Sequence, residues 1–245
     1  MAVDDSGREL TSNAPPLYLI PWDPDSQEHV DRLRLQRIAC GWKVEQVEIW
    51  RDPQRKGEIG LHWVVLHPDH PETLSRLEKH FGAYPNEVEA LQDTCTMILG
   101  RPHKPNPLIP SFFPVGHIAL DSVTSVPELG TSLSDGILSL MNFYISKSLQ
   151  SLGLGGVALS YCEKMAKEEF GAKAITLETI SNHECRADSP RLIAMKRPPP
   201  KVTNQDWYSR RGYRVYGSKE VAWFDIDETG KEWGIGSVFL RKDLI

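Results

Sequence analysis

A glycine-rich turn between an apolar strand and an amphipathic helix constrains this chain more than any other feature of its 245 residues. The segment reads FYISKSLQSLGLGG over residues 143–156. A strand is predicted over residues 137–145, and apolar side chains at helical spacing predict a helix over residues 156–170. In such a turn several backbone N–H groups and the positive end of the helix dipole face one point. That geometry binds phosphate.

Apolar periodicity predicts further strands and helices on both sides of this segment. The predicted strands are residues 17–20, 59–66, 115–120, 174–180, 213–216, 221–226 and 237–241, and the other predicted helices are 28–40, 71–81 and 204–211. Residues 101–114 and 181–203 are rich in proline, so we expect long irregular loops there. This order predicts an α/β (α+β) fold, a mixed central sheet flanked by helices with long Pro-rich insertions.

Composition limits the class of protein and its partners. Hydrophobic residues make up 40% and charged residues 25%, which is typical of a globular chain, and we expect a flexible leader over residues 1–15 and a single domain over residues 16–245. A net charge of −5 argues against a nucleic-acid partner. The absence of a long apolar run and of a signal-peptide pattern leads us to expect a cytoplasmic protein without a membrane partner.

Two well-known phosphate motifs do not fit the glycine-rich turn. No Lys follows the glycines, as a P-loop requires, and Ala158 occupies the third glycine position of a dinucleotide-binding fingerprint. The spacing present is Gln-x-x-Gly-x-Gly-Gly, from Gln150 to Gly156. A turn of this kind taken alone also serves simply to cap helices, so it needs a second motif beside it.

That spacing resembles the pyrophosphate loop of the GCN5-related N-acetyltransferase (GNAT) superfamily, which reads Gln/Arg-x-x-Gly-x-Gly/Ala after a strand ending in a Leu-Tyr-Val-like triplet. Phe143-Tyr144-Ile145 stands in the register of that triplet. A second block, residues 204–213, is similar to the family's Ala-x-x-Phe-Tyr-x-x-x-Gly-Phe pattern. Its matching positions are Trp207, Tyr208, Gly212 and Tyr213. The resemblance covers residues 115–216 well, whereas the first hundred residues match only in element order.

The resemblance implies acetyl-CoA as the co-substrate and no metal. It implies that backbone groups of the strand end pair with the pantetheine arm, while amides of the glycine-rich turn hold the pyrophosphate. The residues so implied are Phe143, Tyr144, Ile145, Gln150, Ser151, Leu152, Gly153, Leu154, Gly155 and Gly156. The reaction implied is direct acetyl transfer from the thioester to a primary amine.

Two residues are the catalytic candidates. Tyr208 matches the family's tyrosine that donates a proton to the coenzyme sulfur; the alternative is that it only packs with Trp207. A general base is harder to place, because Ser139 and Met141 occupy the positions where several members of the family carry Glu or His. Glu178 on the next strand is a substitute, unless it is an ordinary solvated strand residue.

Further polar residues have weaker claims. His117 is a second candidate base, although a strand histidine more often has a structural role, and Asp121 can simply end the same strand. The cluster formed by His183, Glu184, Cys185 and Asp188 fits no common zinc spacing, so we interpret it as a loop. The two Pro-rich insertions, including the basic stretch 196–201, are expected to line the substrate side.

The leading hypothesis is therefore an acetyl-CoA-dependent N-acetyltransferase that acts on a small-molecule amine, as a monomer or homodimer. Two alternatives stay open. A protein-modifying enzyme would use the same chemistry on a lysine or an N-terminal amine. A non-catalytic acyl-CoA sensor would keep the phosphate loop without turnover; the lack of a base at Ser139 and Met141 supports it, and the presence of Tyr208 argues against it.

Overall fold

The computed structural model describes residues 2–3, 9–10, 15–107 and 109–244. Its strands are β1 (Ala2–Val3), β2 (Glu9–Leu10), β3 (Leu17–Pro21), β4 (Ile59–Leu66), β5 (Met97–Ile98), β6 (Arg101–Pro102), β7 (Pro114–Asp121), β8 (Ile137–Ile145), β9 (Ala174–Ile180), β10 (Arg214–Ile226) and β11 (Glu232–Asp243). Its α-helices are α1 (Gln27–Cys40), α2 (Arg51–Arg55), α3 (Thr73–Ala83), α4 (Leu154–Phe170), α5 (Pro190–Ala194) and α6 (Asn204–Ser209).

The chain divides into two compact units. The first comprises Met1–Val123 and Leu140–Phe170, and the second comprises Thr124–Ser139 and Gly171–Ile245. In the first unit β4 pairs antiparallel with β3 and with β7. In the second, β11 pairs antiparallel with β9 and β10, while β8 pairs in parallel with β9. The predicted fold class, an α/β (α+β) fold with a mixed sheet and flanking helices, is confirmed, and most of the strand pairs are antiparallel.

The core of the first unit lies on β4 and β7, where every residue is buried. Trp22 and Trp63 are the largest fully buried side chains of its apolar cluster, and Leu33 of α1 packs into the same cluster. Helix α1 begins at an N-cap serine, Ser26, and ends at Gly41, whose positive φ of 81° is accessible to glycine at little cost. Local caps and the apolar pattern therefore agree on these elements.

The second unit ends in a long antiparallel pair, β10 with β11. We predicted separate strands at 213–216 and 221–226, but β10 runs through both, because register irregularities absorb the intervening residues. The predicted strand 237–241 is likewise only the buried middle of β11, which reaches from Glu232 to Asp243. Backbone pairing between the two strands extends both of them beyond their apolar runs.

Three local predictions need correction, and one short helix has no prediction to compare with. Helix α4 begins at Leu154 rather than at residue 156, so two glycines lie in its first turn. The region 181–203 contains α5, because Ser189 caps it and Pro190 fits a first helical turn. The loop 101–114 begins with the short strand β6, which pairs with β5. The short helix α2 has no apolar periodicity of its own and was not predicted.

Three expectations about the whole chain have different outcomes. The predicted leader, residues 1–15, falls mostly outside the described residues, and the single domain over 16–245 stays a prediction. Within the described ranges, no helix is both long enough and apolar enough to cross a membrane.

Candidate functional site

Strand β8 is regularly paired with β9 only in its first part, and its backbone becomes irregular after that. Its parallel ladder with β9 covers three residue pairs, from Ile137–Ala174 to Ser139–Thr176. Asn142 then takes a φ of 52°, which lies in the left-handed region and interrupts a regular strand. Such a break alters the direction of the backbone that follows, which is the segment Phe143–Ile145.

The glycine-rich turn begins with a short 3-10 turn, Lys147–Leu149. Leu149 is fully buried and anchors this turn, while the Gln150 side chain folds back so that its Nε2 donates to the carbonyl oxygen of Ile145 at 3.1 Å. The glutamine of the motif therefore ties the turn to the end of β8. This leaves backbone groups, rather than the Gln150 side chain, to face outward.

Two residues with positive φ then turn the chain into α4. Ser151 has a φ of 67° and Gly153 a φ of 83°. A Cβ added at Gly153 would meet no atom within 4 Å, so this glycine is required by its conformation and not by close packing. Helix α4 follows at once, held by a buried face that includes Ala158 and Cys162.

The N–H groups of this turn are open. Those of Gly156 and Val157 donate to the carbonyl oxygen of Gly153, at 3.0 and 3.3 Å. Those of residues 151–155 donate to no acceptor in the described part of the chain. Residues 151–153 are exposed and Gly155 is half-buried. Five donors at the positive end of a 17-residue helix are suited to bind an anion.

Tyr208 lies on α6 between two aromatic rings. Its ring centroid is 5.0 Å from that of Trp207 and 5.5 Å from that of Tyr213, both edge-on. Tyr208 is half-buried, so its ring packs while part of the side chain reaches solvent. Tyr208 therefore does pack against Trp207, as the alternative interpretation expects. The same packing also fixes the direction of its phenol, which is what a proton donor requires.

Helix α6 is attached to the segment after β9 by Asn182, a residue that sequence analysis did not single out. Its backbone N–H donates to Gln205 Oε1 and its Nδ2 donates to Asp206 Oδ1, both at 2.7 Å. Thr203 caps the same helix by accepting from the backbone N–H of Asp206. The position of Tyr208 thus depends on side-chain contacts that no short sequence pattern reveals.

Glu178 is half-buried on β9. Its Oε1 accepts a hydrogen bond from Ser237 Oγ at 2.6 Å, and Ser237 is itself buried on β11. The carboxylate is therefore held by a neighbouring strand and is not an ordinary solvated residue. A second carboxylate oxygen remains to accept a proton.

His117 is not suited to act as a base. The ring is fully buried; its Nδ1 lies 2.9 Å from Gln36 Oε1 and its Nε2 lies 3.3 Å from Arg37 Nη1. Because Arg37 can only donate, Nε2 must accept and Nδ1 must carry the hydrogen. Burial, and secondly the Arg37 charge, lower the pKa of His117 well below its usual value. The ring is a neutral structural group whose lone pair is already used.

The other weak candidates have structural contacts. Asp121 Oδ1 accepts from the backbone N–H of Val123 at 2.8 Å, which closes the turn after β7, and burial raises the pKa of its carboxyl. Ser139 is buried, and Met141 packs on the apolar cluster of the first unit. Neither Ser139 nor Met141 offers a base.

The polar cluster near residue 185 is held by arginines. Glu184 accepts from the backbone N–H of Gly236 and lies 3.7 Å from the Nε of Arg191, while Asp188 binds Arg186 through two hydrogen bonds. In the basic stretch 196–201, the first two side chains pair with Glu228 and Asp225. Across the ranges that the structure describes, no group of three or more His, Cys, Asp and Glu could hold a metal ion.

No protein-family model matches the sequence, and no curated protein matches it by sequence comparison. Solved structures do share its fold. A chimera of the spermidine N-acetyltransferase SpeG from Vibrio cholerae with hSSAT has a TM-score of 0.52 at 7% identity, over 94% of this chain and 96% of that chain. The aminoglycoside 6′-N-acetyltransferase from Enterococcus faecium has a TM-score of 0.50 at 14% identity, over 93% and 97%. The GNAT fold predicted from the two motifs is thereby confirmed.

Proposed function

We propose that this chain is an acetyl-CoA-dependent N-acetyltransferase of the GNAT type. The observation that carries the proposal is the set of five open N–H groups at residues 151–155, placed at the start of α4. A diphosphate offers the charge and the acceptor oxygens that such a set binds. The shared fold with an aminoglycoside and a spermidine N-acetyltransferase supports the same assignment.

Each candidate residue then has a distinct role. The open amides of residues 151–155 bind the diphosphate, because the N–H groups of Gln150 and Gly156 already donate to the carbonyl oxygens of Lys147 and Gly153. The backbone of Phe143, Tyr144 and Ile145 pairs with the pantetheine arm as an added strand would. Acetyl-CoA supplies the activated thioester. Tyr208 donates a proton to the departing thiolate, which a phenol does readily at neutral pH.

Glu178 takes the proton that the acceptor amine must lose. Its carboxylate is fixed by Ser237, so the free oxygen has a defined direction, and it acts either directly or through one water. The acceptor that we propose is a small-molecule amine, as in the two neighbours named above. A protein lysine or N-terminal amine is the second candidate, because the chemistry is the same.

Binding and turnover are tested separately. Isothermal titration with CoA should show binding by the wild-type chain, and release of thiol from acetyl-CoA across a panel of polyamines, aminoglycosides and peptides should then identify the acceptor class. Failure to bind CoA at millimolar concentration would contradict the proposal. Binding without thiol release on any amine would favour the non-catalytic sensor instead.

A further inference from the structure

A buried chain of hydrogen bonds connects helix α3 to the start of the glycine-rich turn. His80 of α3 is 1% exposed, and its Nδ1 lies 2.9 Å from the Oγ of Ser146, which is fully buried. Ser146 Oγ in turn lies 3.0 Å from Ser148 Oγ, inside the 3-10 turn Lys147–Leu149. The other ring nitrogen of His80 faces Glu87, with Nε2 and Oε2 3.5 Å apart.

Ser146 is the residue at which the strand ends and the turn begins. Its N–H donates to the carbonyl oxygen of Val115 at 2.8 Å, and its carbonyl oxygen accepts from the N–H of Leu149 at 2.8 Å. The backbone of Ser146 is therefore attached to β7 on one side and closes the 3-10 turn on the other. The side chain adds two further attachments, one to Ser148 inside the turn and one to His80 outside it.

We infer that His80 is a positioning residue for the phosphate-binding turn, an inference that rests on the proposed function. The imidazole orients Ser146 and, through it, Ser148, so that the amides of residues 151–155 face one point before any ligand arrives. Donors that are already in place cost less to order on binding. Since Ser146 is inaccessible to water, loss of the imidazole leaves its hydroxyl without that partner.

Glu87 lies on the other side of the ring, close to His80 Nε2 but without a hydrogen bond to it. It is 3% exposed and accepts from Gln36 Nε2 at 3.1 Å, in the same buried region as Arg32. The carboxylate 3.5 Å from Nε2 favours the tautomer that carries its hydrogen there. In that tautomer the Nδ1 lone pair accepts the Ser146 hydroxyl hydrogen, and Ser146 Oγ is left to accept from Ser148. The two hydrogen bonds then run in one direction, from Ser148 through Ser146 to the imidazole of His80.

The test compares two acetyl donors, acetyl-CoA and S-acetylpantetheine, which lacks the diphosphate. His80→Ala and Ser146→Ala should each lower kcat/KM for acetyl-CoA about tenfold, as expected for one lost hydrogen bond. The lower kcat/KM should arise from a higher KM for acetyl-CoA, with kcat near the wild-type value. The rate with S-acetylpantetheine should not change. Their double variant should lose no more than either single variant.

Two conservative variants separate the ring nitrogens. His80→Asn places an amide where Nδ1 lies and should restore most of the affinity, whereas His80→Gln places one where Nε2 lies and should not. Thr73→Val is the matched control, since Thr73 is a buried polar residue of α3 whose Oγ1 donates to the carbonyl oxygen of His67. It should lower thermal stability without changing the preference between donors.

The outcomes are distinguishable. If His80→Ala lowers kcat/KM equally with acetyl-CoA and S-acetylpantetheine, His80 contributes only to stability and the inference is overturned. The same holds if Thr73→Val lowers kcat/KM for acetyl-CoA selectively, as His80→Ala is expected to do. Unchanged kcat/KM in His80→Ala would also overturn it, while the proposed function stands. If wild-type protein binds no CoA, the proposed function fails first and the inference fails with it.

Discussion

The two segments with assigned roles are built on different principles. The phosphate turn, residues 146–156, presents main-chain donors and takes its shape from φ values at Ser151 and Gly153. The segment that carries Tyr208 and Glu178 presents side chains, held by aromatic packing and by hydrogen bonds from Asn182 and Ser237. A main-chain site depends on a few backbone angles, and a side-chain site depends on many contacts. A single substitution should therefore abolish binding at the main-chain site, whereas single substitutions at the side-chain site should each cause a partial loss of activity.

The largest expected effect is at the main-chain site. Gly155→Asp introduces bulk and a negative charge among the open donors, so CoA binding should weaken by at least about a hundredfold, measured by calorimetry. Gly82→Asp is the matched control, because Gly82 is an exposed helical glycine at which an added Cβ would meet no atom within 4 Å. Unchanged affinity in Gly155→Asp would contradict the assignment of the turn.

The next effect is on the chemical step. Tyr208→Phe keeps the ring and removes one positioned donor, so kcat should fall about a hundredfold with little change in CoA affinity. Tyr161→Phe, on α4, removes a phenol to which no role is assigned and should leave kcat unchanged. An unaltered rate in Tyr208→Phe would leave Tyr208 with packing alone.

The two units should also respond differently to acid. Burial lowers the pKa of His62 in the first unit to about 4, so at pH 5 the unfolded chain binds a proton that the folded chain does not. This stabilisation is complete above the ordinary histidine pKa and is lost as pH falls toward 4. We expect His62 alone to lower the free energy of unfolding by about 2 kcal/mol between pH 7.5 and 5.

Urea denaturation at the two pH values measures that change. His62→Asn keeps a donor for the carbonyl oxygen of Gly60, which lies 3.0 Å from His62 Nδ1, and should reduce the pH dependence. His183→Asn in the second unit, where the ring is exposed, should not. Equal pH dependence in wild type and His62→Asn would contradict the assignment to His62.

The smallest effect is expected at the proposed base. Glu178→Gln keeps the hydrogen bond from Ser237 but loses the proton acceptor, so kcat should fall about tenfold. Ser237→Ala removes the hydrogen bond to Glu178 and keeps the carboxylate. It should also lower kcat, but by less than Glu178→Gln does. If Ser237→Ala costs more than Glu178→Gln, the pair is structural.

The same contrast explains what the sequence could predict. Apolar runs located β3, β4, β8 and β9 almost to the residue, since burial and pairing act on the same positions. The turn was found because glycines and a glutamine recur at fixed spacing. Asn182, Asn142 and His80 were missed because each acts through a contact distant in sequence or an unusual φ, and neither leaves a periodic pattern.

A binding site made of backbone N–H groups places few requirements on the side chains of the residues that form it. Lys147 and Leu152 are exposed, and exchanging either of them leaves the N–H groups of the turn in place, whereas position 151 needs a residue that tolerates a positive φ. Substitution of Lys147 or Leu152 should therefore leave the proposed anion site intact.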